Sequence, residues 1–334
     1  MTSPLLELNH VSRTFMVKKQ QIKAVDDVSF SLGTGEVLCL VGESGCGKTT
    51  TGKIIAGLLS PSSGKIFFKG NDISTLSKDQ HNAYRLGVQM IHQDPYASLN
   101  PTQTIFEILA TPLRYHKLVK TDKECRDRVL SLLELVDLTP PDDFVEKYPH
   151  QLSGGQRQRV SIARSLTVNP SFLVADEAVS MVDVSIRISL LRTLSHLKDE
   201  LGLSVLFITH DLALAKYFAW DGRIGVMYLG RMVELSPAPF LVDHPQHPYT
   251  QVLLSAIPEA DPDITRKKQS LQLRSMDVPS LLRLPSGCSF HPRCPRFAGQ
   301  LCQEQIPSLT SFYDGSAVAC HLVMDDRKKD VIKA

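Results

Sequence analysis

The segment Gly42–Thr50, GESGCGKTT, constrains the fold of this chain more than any other stretch. It follows the apolar run 36–41, which has the length of a buried strand, and it precedes 51–58, whose apolar residues recur at helical spacing. Glycine residues let the backbone approach an anion closely, and the free N–H groups at a helix start can point at phosphate oxygens. In this context the G-x-x-x-x-G-K-[ST] pattern predicts a phosphate-binding loop rather than an ordinary glycine turn.

The side chains of this loop suggest individual roles. Lys48 would reach the β and γ phosphates of a nucleotide, and the Thr49 hydroxyl could bind Mg²⁺. The predicted nucleotide contacts of the loop are Gly42, Ser44, Gly45, Cys46, Gly47, Lys48, Thr49 and Thr50.

Length and composition limit the possible classes of protein. The 334 residues predict two or three structural units, and 43% hydrophobic residues suffice for a sizeable core. Apolar runs such as 205–208 and 224–229 are too short to span a membrane, so we expect any membrane role to come through a partner. The N-terminal residues do not resemble a secretory signal, which predicts a cytosolic chain without a disulfide framework for its seven cysteines. A net charge of only +2 argues against a nucleic-acid partner.

The order of patterns predicts an α/β fold. Alternating or apolar segments predict strands that surround the phosphate loop and recur near the middle of the chain, whereas 105–111 and 123–136 predict amphipathic helices of an insertion. Eleven of the twenty prolines lie between Pro237 and Pro307, so we expect a loop-rich extension after about Ser236. The predicted division is a nucleotide-binding core in two parts, 1–95 and 151–235, a helical subdomain at 96–150 and a C-terminal extension at 236–334.

A second candidate site lies at the end of the predicted strand 172–175, where Asp176 and Glu177 follow four apolar residues. A buried parallel strand would deliver both carboxylates to its C-terminal end. Asp176 would then support the metal ion, and Glu177 would polarise the attacking water as general base. The alternative is a pair of surface carboxylates at a strand end. The aromatic Phe15 is either a core residue or a flat surface for a base, and spacing does not decide between them.

Further motifs resemble one family. The segment Leu152–Gln156, LSGGQ, resembles the signature of the ABC ATPase family, and Gln93 and His210 stand where that family has its Q-loop glutamine and switch histidine. Three phrases, at 42–48, 93–101 and 247–250, resemble the ATP-binding subunits of oligopeptide and dipeptide ABC importers. The similarity covers nearly the whole chain.

The resemblance implies a P-loop ABC ATPase domain that forms a head-to-tail dimer. Each ATP would lie between the phosphate loop of one chain and the signature of the other, where Ser153, Gly154 and Gly155 would contact it. The implied catalytic residues are Lys48, Gln93, Glu177 and His210, the implied Mg²⁺ ligands are Thr49, Gln93 and Asp176, and Asp183 joins the nucleotide contacts. Phe15 matches the aromatic residue that stacks on adenine in this family.

The same resemblance implies that ATP hydrolysis powers peptide import from the cytoplasmic face of the cell membrane. Its partners would be membrane permease subunits, docked against the helical insertion, and a second ATP-binding subunit, identical or homologous. An extracytoplasmic solute-binding protein would act indirectly. Related importers carry oligosaccharides or metal complexes, and soluble ABC-type ATPases act on ribosomes or DNA. The soluble class usually shows two phosphate loops or a long coiled coil, and this sequence shows neither.

The sequence departs from the family pattern after Glu177. The family usually has Pro-Val-Ser-Ala-Leu-Asp there, whereas this chain has Ala178 in place of the proline and Met181 in place of the alanine. Ala178 removes a restriction on the turn, and Met181 is bulky for a predicted dimer contact. We expect effects on turnover and pairing rather than on ATP binding.

Four cysteines fall in the predicted extension: Cys288, Cys294, Cys302 and Cys320. Five, seven and seventeen residues separate them, which fits neither the common paired zinc pattern nor the ferredoxin pattern. The segments 287–288 and 291–295 resemble the C-terminal part of importer subunits, some of which carry a 4Fe-4S cluster. The resemblance therefore implies a 4Fe-4S cluster, with structural zinc or free thiols as alternatives.

Overall fold

The computed structural model describes residues 3–257 and 271–324, and these contain two sheets. The smaller sheet is antiparallel with the strand order β2-β1-β4-β5. Its strands are β1 (Leu6–Val17), β2 (Gln20–Leu32), β4 (Ser63–Phe68) and β5 (Asn71–Asp72). The hairpin of β1 and β2 turns at Lys18 and Lys19, both of which have positive φ.

The larger sheet has the strand order β11-β12-β10-β9-β3-β8-β7-β6, and its run β9-β3-β8-β7-β6 is parallel. The strands of this run are β3 (Val37–Val41), β6 (Val88–Ile91), β7 (Phe172–Asp176), β8 (Ser204–Ile208) and β9 (Arg223–Tyr228). Strands β3, β7 and β8 are buried along their whole length, as expected for parallel strands covered on both faces. Because parallel strands end at the same edge, the segments that follow β3, β7 and β8 meet there.

Helices cover this sheet and form the inserted helical unit. Around the sheet are α1 (Lys48–Ile55), α2 (Lys78–Gly87), α7 (Gly154–Leu166), α8 (Val184–Leu201) and α9 (Leu212–Phe218). The insertion contains α3 (Pro95–Ser98), α4 (Ile105–Tyr115), α5 (Asp122–Leu135) and α6 (Asp142–Val145). Buried side chains such as Leu109 and Val129 join the insertion to the same core cluster as the sheet.

Two helices differ from the sequence expectation. Helix α4 continues to Tyr115, past Pro112, because the fully buried Leu113 still packs on the core and compensates for the lost backbone hydrogen bond. Helix α2 was not predicted at all. Its start carried a readable signal, since Ser77 and Gln80 form a reciprocal capping box.

The extension is hydrogen-bonded to the core. After β10 (Arg231–Pro237) come α10 (Ala238–Asp243), α11 (Pro248–Ser255), α12 (Gln300–Glu304), β11 (Thr310–Ser311) and β12 (Ala317–Val318). Strand β12 pairs with β10, with Val318 opposite Glu234, so the extension widens the large sheet. The boundary near Ser236 stays a prediction, and 258–270 lies outside the described residues. Among the described helices, none has the length and apolarity needed to cross a membrane.

Candidate functional site

The phosphate loop closes around the amino group of Lys48. Its Nζ donates hydrogen bonds to the carbonyl oxygens of Gly42 at 2.7 Å and Glu43 at 3.0 Å, and the side chain is buried. The turn depends on Gly47, which has φ +105° and lies so close to β2 that a Cβ would sit 2.2 Å from the Ala24 carbonyl oxygen. A larger residue at Gly47 would therefore clash with backbone and hold the loop open.

A hydroxyl and a carboxylate meet beside this loop. Thr49 Oγ1, in the first turn of α1, donates a 2.9 Å hydrogen bond to Asp176 Oδ1 at the end of β7. Burial raises the pKa of the Asp176 carboxyl, and the hydrogen bond from Thr49 opposes that rise. Oxygen donors in contact at the edge of a phosphate-binding loop are the ligand type that Mg²⁺ prefers, so these residues fit the predicted metal ion.

The neighbouring carboxylate of Glu177 is held at both oxygens. Gln93 Nε2 donates to Oε2 at 2.8 Å, and His210 Nδ1 lies 3.3 Å from Oε1. Glu177 also has φ +46°, a conformation that non-glycine residues rarely adopt and that is concentrated at functional sites. Its backbone N–H donates to the Ile208 carbonyl, which fixes this turn to the neighbouring strand β8.

Except for Asp176, the polar side chains described above line one cavity of about 420 Å³. The structure thereby brings all four predicted catalytic residues to the same cavity. Its lining comprises Ala24, Ser44, Gly45, Gly47, Lys48, Thr49, Thr50, Gln93, Glu177 and His210. Within the described chain, that lining does not include the predicted nucleotide contacts Gly42, Cys46, Phe15 and Asp183 or the signature residues Ser153, Gly154 and Gly155.

The signature residues lie at the start of α7, where Ser153 caps the helix. Ser153 accepts a hydrogen bond from the Gln156 N–H, and the Gln156 side chain accepts one from the Ser153 N–H. Gly155 lies against α8, where an added Cβ would be 2.7 Å from Ile186 Cγ2. A structural reason for serine and glycine thus exists within the single chain, and their predicted contact with a second chain's ATP stays a prediction.

The remaining predicted contacts lie at the periphery. Phe15 is half-buried opposite Ile22 in the β1–β2 hairpin, with the guanidinium carbon of Arg13 4.9 Å from its ring centre. Asp183 is exposed directly before α8, and its side chain makes no capping bond. Among the departures from the family pattern, Ala178 is buried and Met181 is 58% exposed.

The structure does not support the expected 4Fe-4S cluster. Within residues 3–257 and 271–324, no group of three or more His, Cys, Asp or Glu side chains could hold a metal ion. Burial raises the pKa of Cys288 to about 12 and that of Cys294 to about 11, and neighbouring thiols of the group add to both shifts. Burial of both side chains disfavours the thiolate form that metal binding requires.

No sequence pattern pointed to the residues that hold the back of the phosphate loop. Arg293 Nη1 donates to both carboxylate oxygens of Glu43, at 3.0 and 2.9 Å, and Tyr249 Oη accepts a 3.0 Å hydrogen bond from the Glu43 N–H. Arg293 and Tyr249 are buried with Tyr228 and Phe290 in an aromatic cluster. Both belong to segments that carried the family resemblance, but nothing in the pattern linked them to Glu43.

A second missed group connects the Gln93 loop to the signature helix. The guanidinium carbon of Arg157, on α7, lies 3.8 Å from the ring centre of Tyr96, and Arg157 also donates to the Tyr96 hydroxyl. Arg164, further along α7, donates to the Ser98 carbonyl. The loop that holds Glu177 through Gln93 is therefore tied to the helix that begins with the signature.

The strand-end carboxylates, the phosphate loop and the helix-start signature on one α/β core define a P-loop ATPase of the ABC class. Comparison with solved structures agrees. A dimeric ATP-binding cassette, MJ0796, solved with ADP and phosphate, has a TM-score of 0.63 and 29% identity, covering 70% of this chain and 98% of that one. A cassette from Clostridium perfringens, CbiO1, shares the fold with a TM-score of 0.63 at 24% identity, over 72% of this chain and 91% of that one.

Sequence comparison gives the narrower assignment. Residues 25–180 match the ABC transporter family, and 233–302 match the oligopeptide/dipeptide transporter C-terminal region. The putative oligopeptide transport ATP-binding protein YkfD of Bacillus subtilis is 44% identical over 99% of both chains. The oligopeptide transport ATP-binding protein AppF of the same organism is 44% identical over 95% of this chain and 97% of its own. The chain belongs to the ATP-hydrolysing subunits of the ABC transporter family, in the group with that C-terminal region.

Proposed function

We propose that this chain hydrolyses ATP to power the import of di- or oligopeptides through partner membrane subunits. One observation supports ATP hydrolysis most directly. Glu177 is hydrogen-bonded to Gln93 and His210 and lines the same cavity as Lys48 and Thr49. The peptide part rests on relatives named for oligopeptide transport and on the matching C-terminal region. Oligosaccharides or metal complexes are the alternative solutes.

Each step of ATP binding and hydrolysis can be assigned to particular side chains of the cavity. Lys48 would exchange its bonds to the Gly42 and Glu43 carbonyls for phosphate oxygens, which carry negative charge. Glu177 would accept the proton of the attacking water at a carboxylate oxygen, while Gln93 and His210 keep that carboxylate oriented. Thr49 and Asp176, with Gln93 as a further predicted ligand, would hold Mg²⁺, which supplies charge compensation to the phosphates when bound.

The active unit is a head-to-tail dimer with a second copy or a homologous ATPase. Ser153, Gly154 and Gly155 do not line this chain's own phosphate cavity, which supports that arrangement. The similar cassette MJ0796 was solved as a dimer, which supports it as well. Met181 and Val184, on either side of Asp183, are large apolar side chains left 58% and 73% exposed, which suits a face that pairs with another chain. Glu177→Gln protein should pair when ATP is added, and Ser153→Arg in that background should prevent pairing.

The permease subunits dock in a groove of about 650 Å³ between the sheet and the helical unit, at the cytoplasmic face of the membrane. Met90 and His92 line one side of the groove, and Pro112 and Tyr115 line the other. Tyr115 is 79% exposed there, which suits a contact with a partner helix. The extracytoplasmic solute-binding protein would act on the permease side and not on this chain.

The function is tested by isolating the intact complex through this chain and identifying its other subunits. The complex should contain permease subunits, and in sealed vesicles it should accumulate labelled oligopeptide only with ATP. Uptake of a labelled oligosaccharide or metal chelate in place of peptide would move the assignment to that solute. Copurification with ribosomes alone would contradict the proposal.

A further inference from the structure

A second cavity, of about 350 Å³, lies on the other side of the phosphate loop. One wall is the loop itself at Glu43–Cys46, and the opposite wall is the segment 278–282 of the C-terminal extension. Ser44 and Gly45 line both this cavity and the phosphate cavity. The two cavities therefore adjoin at the tip of the loop, so that one ligand could occupy both.

The lining of this second cavity is mostly apolar. Its apolar residues are Ile22, Leu229, Val278, Pro279, Leu281 and Leu282. The carboxylate of Glu43 faces Arg293, and the Tyr228 hydroxyl also lies within 3.4 Å of that guanidinium. Because the Glu43 charge is paired with Arg293, this cavity suits a flat, weakly polar group rather than a second phosphate. The base and ribose of a nucleotide whose phosphates occupied the adjoining phosphate cavity would have that chemistry.

The extension wall is held in place. Ser280 begins a turn in which its Oγ accepts from the Leu282 N–H at 3.1 Å and its carbonyl accepts from the Arg283 N–H at 3.0 Å. Leu281 packs against the main core cluster, whereas Val278 and Leu282 remain 52% and 47% exposed. The segment thus presents apolar side chains that a ligand could cover.

We propose that residues 278–282 form one wall of the ATP site and contact the adenine and ribose. Ile22 forms part of the facing wall, and Phe15 lies opposite Ile22 in the same hairpin. Nucleotide binding and the position of the extension are then linked, since ATP gains a contact only when this segment is in place. The inference rests on the proposed function only in taking ATP as the ligand, and it holds whichever solute is transported.

The test compares two ligands on the purified full-length chain. Calorimetry would give dissociation constants for ATP and for inorganic tripolyphosphate, which carries the phosphates without base or ribose. Loss of apolar contact in Leu282→Ser should weaken ATP binding about three- to tenfold and leave tripolyphosphate binding unchanged. Leu271→Ser is the matched control, because Leu271 is a similarly exposed leucine of the extension, 42% against 47%, that does not line the cavity.

Equal ATP affinity in Leu282→Ser and Leu271→Ser would overturn the proposal. So would a loss of tripolyphosphate affinity in Leu282→Ser as large as its loss of ATP affinity, because the effect would then lie on the phosphate loop. Photolabelling of the unmutated chain with an azido-adenine ATP gives an independent readout. Labelled peptides should include 278–282, and labelling confined to other segments would count against the assignment. Failure of the proposed transport function would leave both binding results intact, whereas Lys48→Ala should abolish binding of both ligands.

Discussion

The two sides of the phosphate loop are built in different ways. On the catalytic side, Lys48, Thr49, Asp176 and Glu177 lie in the first turn of a helix or at the end of a strand, and the parallel sheet brings them to one edge. On the back, Glu43 is held by Arg293 and Tyr249, which lie 250 and 206 residues further along the chain. The first arrangement follows from local motifs and one sheet edge. The second requires distant parts of the chain to be folded together, so the extension supports the phosphate loop.

The largest expected effect tests the catalytic side. Glu177→Gln keeps the hydrogen-bonding shape but removes the proton acceptor, so ATP turnover should fall roughly 10²- to 10⁴-fold while ATP binding is retained. The measurement is steady-state phosphate release by the assembled transporter, together with nucleotide binding to the same protein. Glu200→Gln is a suitable control because Glu200 lies in a surface pair with His196 on α8. Hydrolysis at the unmutated rate in Glu177→Gln would remove Glu177 from the mechanism.

The second prediction tests the back of the loop. Arg293→Met leaves the Glu43 carboxylate without its partner in a mostly buried position, which should cost about 3 kcal/mol of unfolding free energy. Replacing Glu43 by Gln in the same chain should recover part of that loss, because no unpaired charge remains. Urea unfolding of the single and double variants measures both effects.

Arg283→Met serves as the control for this comparison, since Arg283 is an exposed arginine of the extension. It should unfold at the same urea concentration as the unmutated chain. If Arg293→Met were equally harmless, the extension would not support the loop, and the contrast between the two sides would disappear.

The meeting of Lys48 and Glu177 at one cavity could be predicted from local motifs and one sheet edge, while their catalytic roles stay predictions. The glycine pattern fixes the turn around Lys48, and a carboxylate after a buried parallel strand must appear at the same sheet edge. The role of Arg293 could not be predicted, because its neighbours in the sequence, Pro292 and Cys294, do not specify a partner 250 residues away. The cysteines show the same limit. Their resemblance to importer subunits suggested a cluster, whereas within the described residues no group of three or more metal-binding side chains comes together.

A third prediction uses pH to examine the junction of core and extension. Burial lowers the pKa of His247 from 6.5 to about 3, and its backbone N–H donates to the Glu234 carboxylate. Between those two values the unfolded chain binds a proton that the folded chain does not, so stability falls as pH falls below about 6.5. Between pH 7 and pH 5, the free energy of unfolding should fall by about 2 kcal/mol because of His247.

His247→Asn should remove this pH dependence. Asparagine does not titrate, and its side-chain oxygen can accept from the Tyr249 N–H in place of His247 Nδ1. Urea unfolding at pH 7 and pH 5 should show a smaller loss of stability in the variant than in the unmutated chain. The same loss in both would mean that His247 takes up its proton without unfolding the junction.

The smallest expected effect concerns the signature, where a motif residue also has a packing role within its own chain. A methyl group at Gly155 would press on Ile186, whose side chain can shift, so Gly155→Ala should cost about 1 kcal/mol of unfolding free energy. Gly154→Ala is the matched control, because its added Cβ would be no closer than 3.9 Å to Val182, and alanine favours the first turn of α7. Gly154→Ala should therefore be neutral or slightly stabilising in thermal unfolding of the isolated chain. Equal stability of the two variants would show that Gly155 is not required for packing of α7 on α8, which would leave contact with a second chain's nucleotide as its role.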